Sequence, residues 1–155
     1  MSALEILNDF PFYKNLTDDL KISMKAQTVL KTSVLRMMIA AIKKHVVDFS
    51  VFSEAIFYDI LGKMIKQRKE SHAEYINIRP ELAYQELQEI EIIKLYLPKE
   101  LSNDELTVII KKVIDEKSAT KISDLKTVLD VLKPLIIGKA DPAFASNIAK
   151  NLLSK

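Results

Sequence analysis

A chain of 155 residues, 48% of them hydrophobic and 28% charged, has the apolar material for one packed domain or two small ones, which excludes a disordered tail. It has no cysteine, which excludes a disulfide frame, a thiolate nucleophile and a zinc ribbon and fits a reducing compartment. The net charge of +2 is small but unevenly laid out: residues 14–72 hold eleven Lys/Arg against six Asp/Glu, residues 73–106 three against eight, and residues 107–155 nine against five.

The amino terminus, MSALEILNDF, carries Glu5 and Asp9 and lacks a basic leader. No apolar run approaches the roughly 20 residues that cross a bilayer, so no membrane role and a cytoplasmic residence are expected. Ser2 to Glu5 has the spacing of a capping box, and Pro11 is expected to end that short helix. Thr17, followed by Asp18 and Asp19, is expected to open the next helix, with a break near Gln27 and Thr28.

Residues 29–47, VLKTSVLRMMIAAIKKHVV, place Leu35, Met38, Ile39, Ile42 and Val46 at helical spacing, with Val34, Met37 and Ala41 covering most of the remainder. Only Arg36, Lys43 and Lys44 make a polar side, which predicts a nearly buried central helix. Ser53 should cap a long helix reaching about Asn77, with Phe57, Ile60, Leu61, Met64, Ile65 and Tyr75 on its apolar face. Pro80 starts the following helix and Pro98 forces its end.

Beyond Pro98, Ser102 and Glu105 form a second capping-box pattern, and Val108, Ile109, Val113 and Ile114 are expected to give that helix its apolar side. Ser123 begins another helix, Gly138 suits its carboxy-terminal cap, and Asp141 with Pro142 restarts a last one. The reading is an all-α protein: an N-terminal helical bundle over residues 1–97 followed by a small three-helix C-terminal domain over residues 98–155.

Catalytic motifs are excluded mainly by missing residues. Gly62 and Gly138 are the only glycines, so neither a Gly-rich phosphate loop nor a G-x-S-x-G elbow can be written. With only His45 and His72 there is no H-E-x-x-H pair and no histidine cluster for a transition metal. His45, at the end of the central helix, reads as a partly buried structural residue rather than a base. Glu86 and Glu89 could share a helix face, but without an E-x-x-H partner helix they read as a solvated acidic surface. No catalytic residue, metal site or cofactor is expected.

The stretch IKQRKES, residues 65–71, concentrates charge. At 100° per residue Lys63 and Lys66 point away from the apolar stripe, Lys69 lies on its flank, and Arg68 falls near its centre. In one reading Lys63 and Lys66 are solvated in pairs with Asp59 and Glu70, while Arg68 snorkels or meets a carboxylate of the acidic helix that follows. In the other, Lys63, Lys66 and Lys69 join Arg36, Lys43 and Lys44 in a phosphate-binding surface that Lys133 and Lys139 extend.

Five stretches, LTDDLKISMKA (16–26), VLRMMIAAIKK (34–44), IKQRKES (65–71), YLPKELSNDEL (96–106) and GKAD (138–141), stand in the order and spacing seen in YqeY-like proteins. Such proteins resemble the tail of the B subunit of the glutamine-dependent Asp/Glu-tRNA amidotransferase, GatB. The resemblance covers residue 16 to the end and leaves residues 1–15 as an extra N-terminal segment. It implies two helical parts and a non-catalytic module associated with tRNA or other structured RNA, linked to tRNA-dependent amidation; the carbon–nitrogen ligase label that travels with the family would then describe chemistry performed elsewhere. This chain departs from the family pattern at QTVLK (27–31), at Lys126, Asp130 and Pro142, and in LIIG (135–138), where a lysine common in relatives is apolar. The alternative is a protein-interaction adaptor that meets its partner through the acidic helix around Glu86 to Glu91 and has no nucleic-acid role.

Overall fold

The computed structural model describes residues 2–154. Among them are eight α-helices and one 3-10 turn, with no strand, so the protein is all-α. The helices gather into two compact units, with the division between Leu97 and Pro98.

In the first unit, α1 (Ala3–Asn8) is opened by a reciprocal capping box. The Ser2 N–H donates to Glu5 Oε2 at 2.7 Å, and the Glu5 N–H donates to Ser2 Oγ at 3.3 Å. Helix α2 (Pro11–Lys25) starts at Pro11, where a missing N–H costs nothing because no intrahelical acceptor awaits it. The expected start at Thr17 is therefore six residues late. Thr17 lies inside α2 and donates its hydroxyl to the Lys14 carbonyl at 2.9 Å, the bond a mid-helix hydroxyl forms once no orphan donor is near.

Helix α3 (Val29–Phe49) packs on α1, α2, α4 and α5, the last two spanning Glu54–Tyr75 and Pro80–Lys94. Ser53 caps α4, its Oγ accepting from the Ile56 N–H at 3.1 Å. Leu16, Leu35, Met38, Ile42, Phe57, Leu61 and Ile93 make the centre of this unit, each fully buried and contributing on the order of 1.5–3 kcal/mol by leaving water. Phe10 packs on Phe52, and Phe12 on Phe52 and Phe57, with ring centroids 4.5–5.6 Å apart, closing the core from the start of the chain. The central helix is less enclosed than its sequence suggests. Val29, Ser33, Arg36, Met37, Ala40, Lys43, Lys44 and Val47 form an uncovered stripe along it.

The second unit packs α6 (Asn103–Glu116), α7 (Leu125–Ile136) and α8 (Pro142–Leu153) around Leu106, Ile110, Val113, Leu132 and Ile136. Ala145 and Ala149 are fully buried, and their small side chains let α8 approach its neighbours closely. Val108, expected inside, is exposed, because the buried stripe of α6 runs through 106, 110 and 113 and leaves 109 and 114 on its flanks. Ser102 Oγ accepts from the Glu105 N–H at 3.1 Å. At the entrance to α7 the work falls to Asp124, which follows Ser123: its Oδ2 accepts from the N–H groups of Thr120 and Lys121 at 3.0 and 3.2 Å, and these bonds hold its carboxyl below the usual carboxylate range. Gly138 turns the chain after α7 with φ of 75°, and Asp141 Oδ1 then caps α8 at the Ala143 N–H, 3.0 Å away.

Candidate nucleic-acid interface

The basic residues singled out by sequence fall on different elements. Arg36, Lys43 and Lys44 share the uncovered stripe of α3, Arg36 and Lys43 standing seven residues apart and so nearly superposed about the helix axis. Lys44 is tied to Asp48 one turn on, Nζ to Oδ2 at 2.7 Å. On α4, Lys63, Lys66 and Lys69 are all exposed, but Asp59, Glu70 and Glu74 are exposed on the same helix. The Asp59–Lys63 pair forms at 3.0 Å, whereas Lys66 and Glu70 stand apart; an exposed pair of this kind contributes a few tenths of a kcal/mol. Lys133 and Lys139 are exposed in the second unit, on α7 and in the turn after it.

Of the two fates expected for Arg68, snorkelling or meeting a carboxylate of the helix that follows, the structure shows the second. Arg68 is drawn into the α4–α5 seam, where its Nη2 faces Glu89 Oε1 at 3.9 Å with both side chains about nine-tenths buried. Its Nη1 donates to the Met64 carbonyl at 3.1 Å, Nη2 lies 3.5 Å from Met37 Sδ, and Nε is buried without a partner. Glu89 therefore does not belong to a solvated acidic face: the period of α5 turns it inward beside Ile90, and Arg68 meets it there. Burial pushes the Glu89 carboxyl up; the Arg68 charge pulls against that shift and Glu86 adds to it.

Sequence reading missed a cluster of hydroxyls where α2 hands over to α3. Ser23, nearly fully buried, sets its Oγ 2.6 Å from Thr32 Oγ1 and 2.8 Å from Thr28 Oγ1, and Thr28 Oγ1 donates to the Ser23 carbonyl at 3.1 Å. With Gln27 held at φ of 56°, these bonds replace the helix ladder through the turn. Beside them is an open depression of about 660 Å³ lined by Met24, Gln27, Val29, Thr32, Ser33, Arg36 and Met37. A signal for this region was present in the sequence: from Leu20 to Val47, 28 residues carry six Lys/Arg and no Asp/Glu.

His45 is half-buried, as expected of a structural residue, with its ring 4.8 Å from Phe49 and its Nε2 buried without a hydrogen-bond partner. Among the described residues no three His, Cys, Asp or Glu side chains gather as metal ligands, and no helix is long and apolar enough to cross a membrane.

The chain is all-α, and the run from Leu20 to Val47 across the α2–α3 corner carries no Asp or Glu. The family model described as Yqey-like protein matches residues 13–153, and the chain belongs to the YqeY-like family. Among curated proteins it is similar to "Altered inheritance of mitochondria protein 41, mitochondrial" of Vanderwaltozyma polyspora, 36% identical over 114 residues that cover 72% of this chain and 58% of that one. The Saccharomyces cerevisiae protein of the same name is 35% identical over 115 residues, 72% of this chain and 59% of that one, and that of Candida glabrata 38% over 90 residues, 56% and 49%. The chain thus spans about half to three fifths of the length of these relatives. Their designation as mitochondrial overturns the expected cytoplasmic residence. That expectation rested on missing cysteines and a missing secretory leader, which speak to redox state and to the secretory route and do not separate the cytosol from other reducing compartments.

Proposed function

We propose that the protein is a non-catalytic RNA-binding module, acting in mitochondria, with tRNA as the leading candidate and a supporting role in tRNA-dependent amidation. The observation that carries this reading is the acid-free run from Leu20 to Val47, whose six Lys/Arg include the exposed Arg36, Lys43 and Lys44 on one helix stripe. Arg36 and Lys43, on a helix whose single carboxylate, Asp48, is tied to Lys44, suit a phosphate backbone, which is bound by charge and position rather than by base identity. The likeness of the five sequence stretches to the GatB tail supports the choice of tRNA. The lysines of α4 contribute less in this reading, because Asp59, Glu70 and Glu74 dilute their field.

Binding of the purified protein to bulk tRNA across a salt series tests it. Wild type is expected to lose affinity linearly in log salt, with a slope of about 0.7–0.9 per phosphate contact. The Lys43→Glu/Lys44→Glu variant should weaken binding by about tenfold or more and flatten the slope by about one to two contacts. Reversal at Lys63, Lys66 and Lys69 should cost less. Salt-independent binding, or none by wild type, would overturn the proposal.

A further inference from the structure

Of the methionines in the helices, Met38 and Met64 are buried, whereas Met24 and Met37 are 49% and 38% exposed. Met37 Sδ lies 3.5 Å from Arg68 Nη2, so a thioether that solvent can reach on α3 touches a guanidinium about nine-tenths buried in the α4–α5 seam. That guanidinium is poorly satisfied. Glu89 Oε1 is 3.9 Å away, beyond hydrogen-bond reach, a thioether sulfur is a weak acceptor, and Arg68 Nε is buried without a partner. Unmet hydrogen-bonding capacity on a buried charge costs stability, so a stronger acceptor placed at the Met37 sulfur would be held there.

We propose that Met37 is a modification site for hydrogen peroxide, and that its sulfoxide oxygen accepts a hydrogen bond from Arg68 Nη2 and so fastens α3 to the α4–α5 seam. A sulfur lone pair attacks one peroxide oxygen, and the S–O bond forms as the O–O bond breaks. The departing hydroxide takes up the proton of the attacked oxygen and leaves as water; the sulfur is oxidised by two electrons and the peroxide is reduced by the same two. Exposure of Met37 admits the peroxide, and the guanidinium receives the product. Nη2 carries two hydrogens, so a bond to the sulfoxide leaves the one that faces Glu89 in place. Oxidation of methionine commonly loosens a protein because it sets a polar group into apolar packing. At Met37 the new oxygen meets a buried cation instead, and the sign of the effect reverses.

The test treats the full chain carrying Met24→Leu with hydrogen peroxide, at a dose that peptide mapping shows to leave Met38 and Met64 as thioethers. The expected product holds a sulfoxide at Met37 and has a higher urea midpoint than before treatment. Its Arg68 guanidinium hydrogens should exchange with solvent about fivefold more slowly in NMR spectra, the scale of one added hydrogen bond to a charged group. Methionine sulfoxide reductases, one for each epimer, should reverse both changes. In Met24→Leu/Arg68→Leu/Glu89→Leu, which removes both buried charges and introduces no thioether, the same oxidation should leave the midpoint unchanged or lower it. Met24→Leu/Met37→Leu should show no midpoint shift. A midpoint that stays or falls in the Met24→Leu protein, unaltered Arg68 exchange, an equal rise without Arg68 and Glu89, or oxidation of Met38 or Met64 ahead of Met37 would each overturn the proposal. None of these readings involves RNA, so this proposal and the RNA reading fail separately.

Discussion

At the scale of single residues, two buried polar groups carry more consequence than any surface lysine. Ser23→Ala removes the hydroxyl that Thr28 and Thr32 share and leaves a buried partner unsatisfied, so stability is expected to drop by about 1–3 kcal/mol in a denaturant titration. Arg68→Met strands the Glu89 carboxylate in the α4–α5 seam and is expected to cost about 3–5 kcal/mol at neutral pH, whereas the double change Arg68→Met/Glu89→Leu should be neutral or stabilising. The pH dependence has a definite sign. Because burial raises the Glu89 pKa, the folded protein retains a proton that the unfolded chain has released, so this group's contribution to stability falls as pH rises between the ordinary glutamate value and the raised one. Removing Arg68 takes away the charge that pulls against this shift, so the penalty of Arg68→Met should shrink as pH falls into that window. Urea titrations at several pH values check this; a penalty that grows on acidification would refute it.

At the scale of elements, the two glycines are predicted to respond oppositely to alanine. Gly62 sits inside α4 with nothing within 4 Å of where a Cβ would lie, so Gly62→Ala should add about 0.5–1 kcal/mol through helix propensity. Gly138 holds φ of 75°, and Gly138→Ala should lose about 1–2 kcal/mol, both read from thermal melts. Most helices are legible in the sequence because caps and prolines mark them: Ser53, Ser102, Asp141 and Pro80 all start elements where spacing places them. Pro11 misleads because a proline both ends one helix and begins another, and sequence alone does not say which role dominates. The inward turn of Glu89 has a clue in Arg68 at the centre of an apolar stripe, which demands a carboxylate without naming it. The Ser23–Thr32 hydroxyl cluster is hidden because its members look like ordinary turn formers until α2 and α3 fold back on one another. Arg36, Lys43 and Lys44 are recognisable as the polar side of α3, but hydrophobicity alone assigns the exposed Val29, Met37 and Val47 around them to the core.

At the scale of the whole molecule, each unit has its own buried cluster. Leu132→Ala is therefore expected to lower hydrogen-exchange protection in α6, α7 and α8 by about 2–5 kcal/mol, the usual cost of emptying a leucine site. Protection in α3 reports separately on the first unit, where Leu35 and Ile42 are fully buried. The match to the YqeY-like family begins at residue 13, yet Leu7 is fully buried and Phe10 and Phe12 close the ring of phenylalanines around Phe52 and Phe57. A protein trimmed to the matched stretch would lose Leu7, Phe10 and Phe12 together and leave an oily opening over the central helix. Its insolubility would then be mistaken for a property of the family, when it is a wound made by cutting at an evolutionary border that the core does not respect.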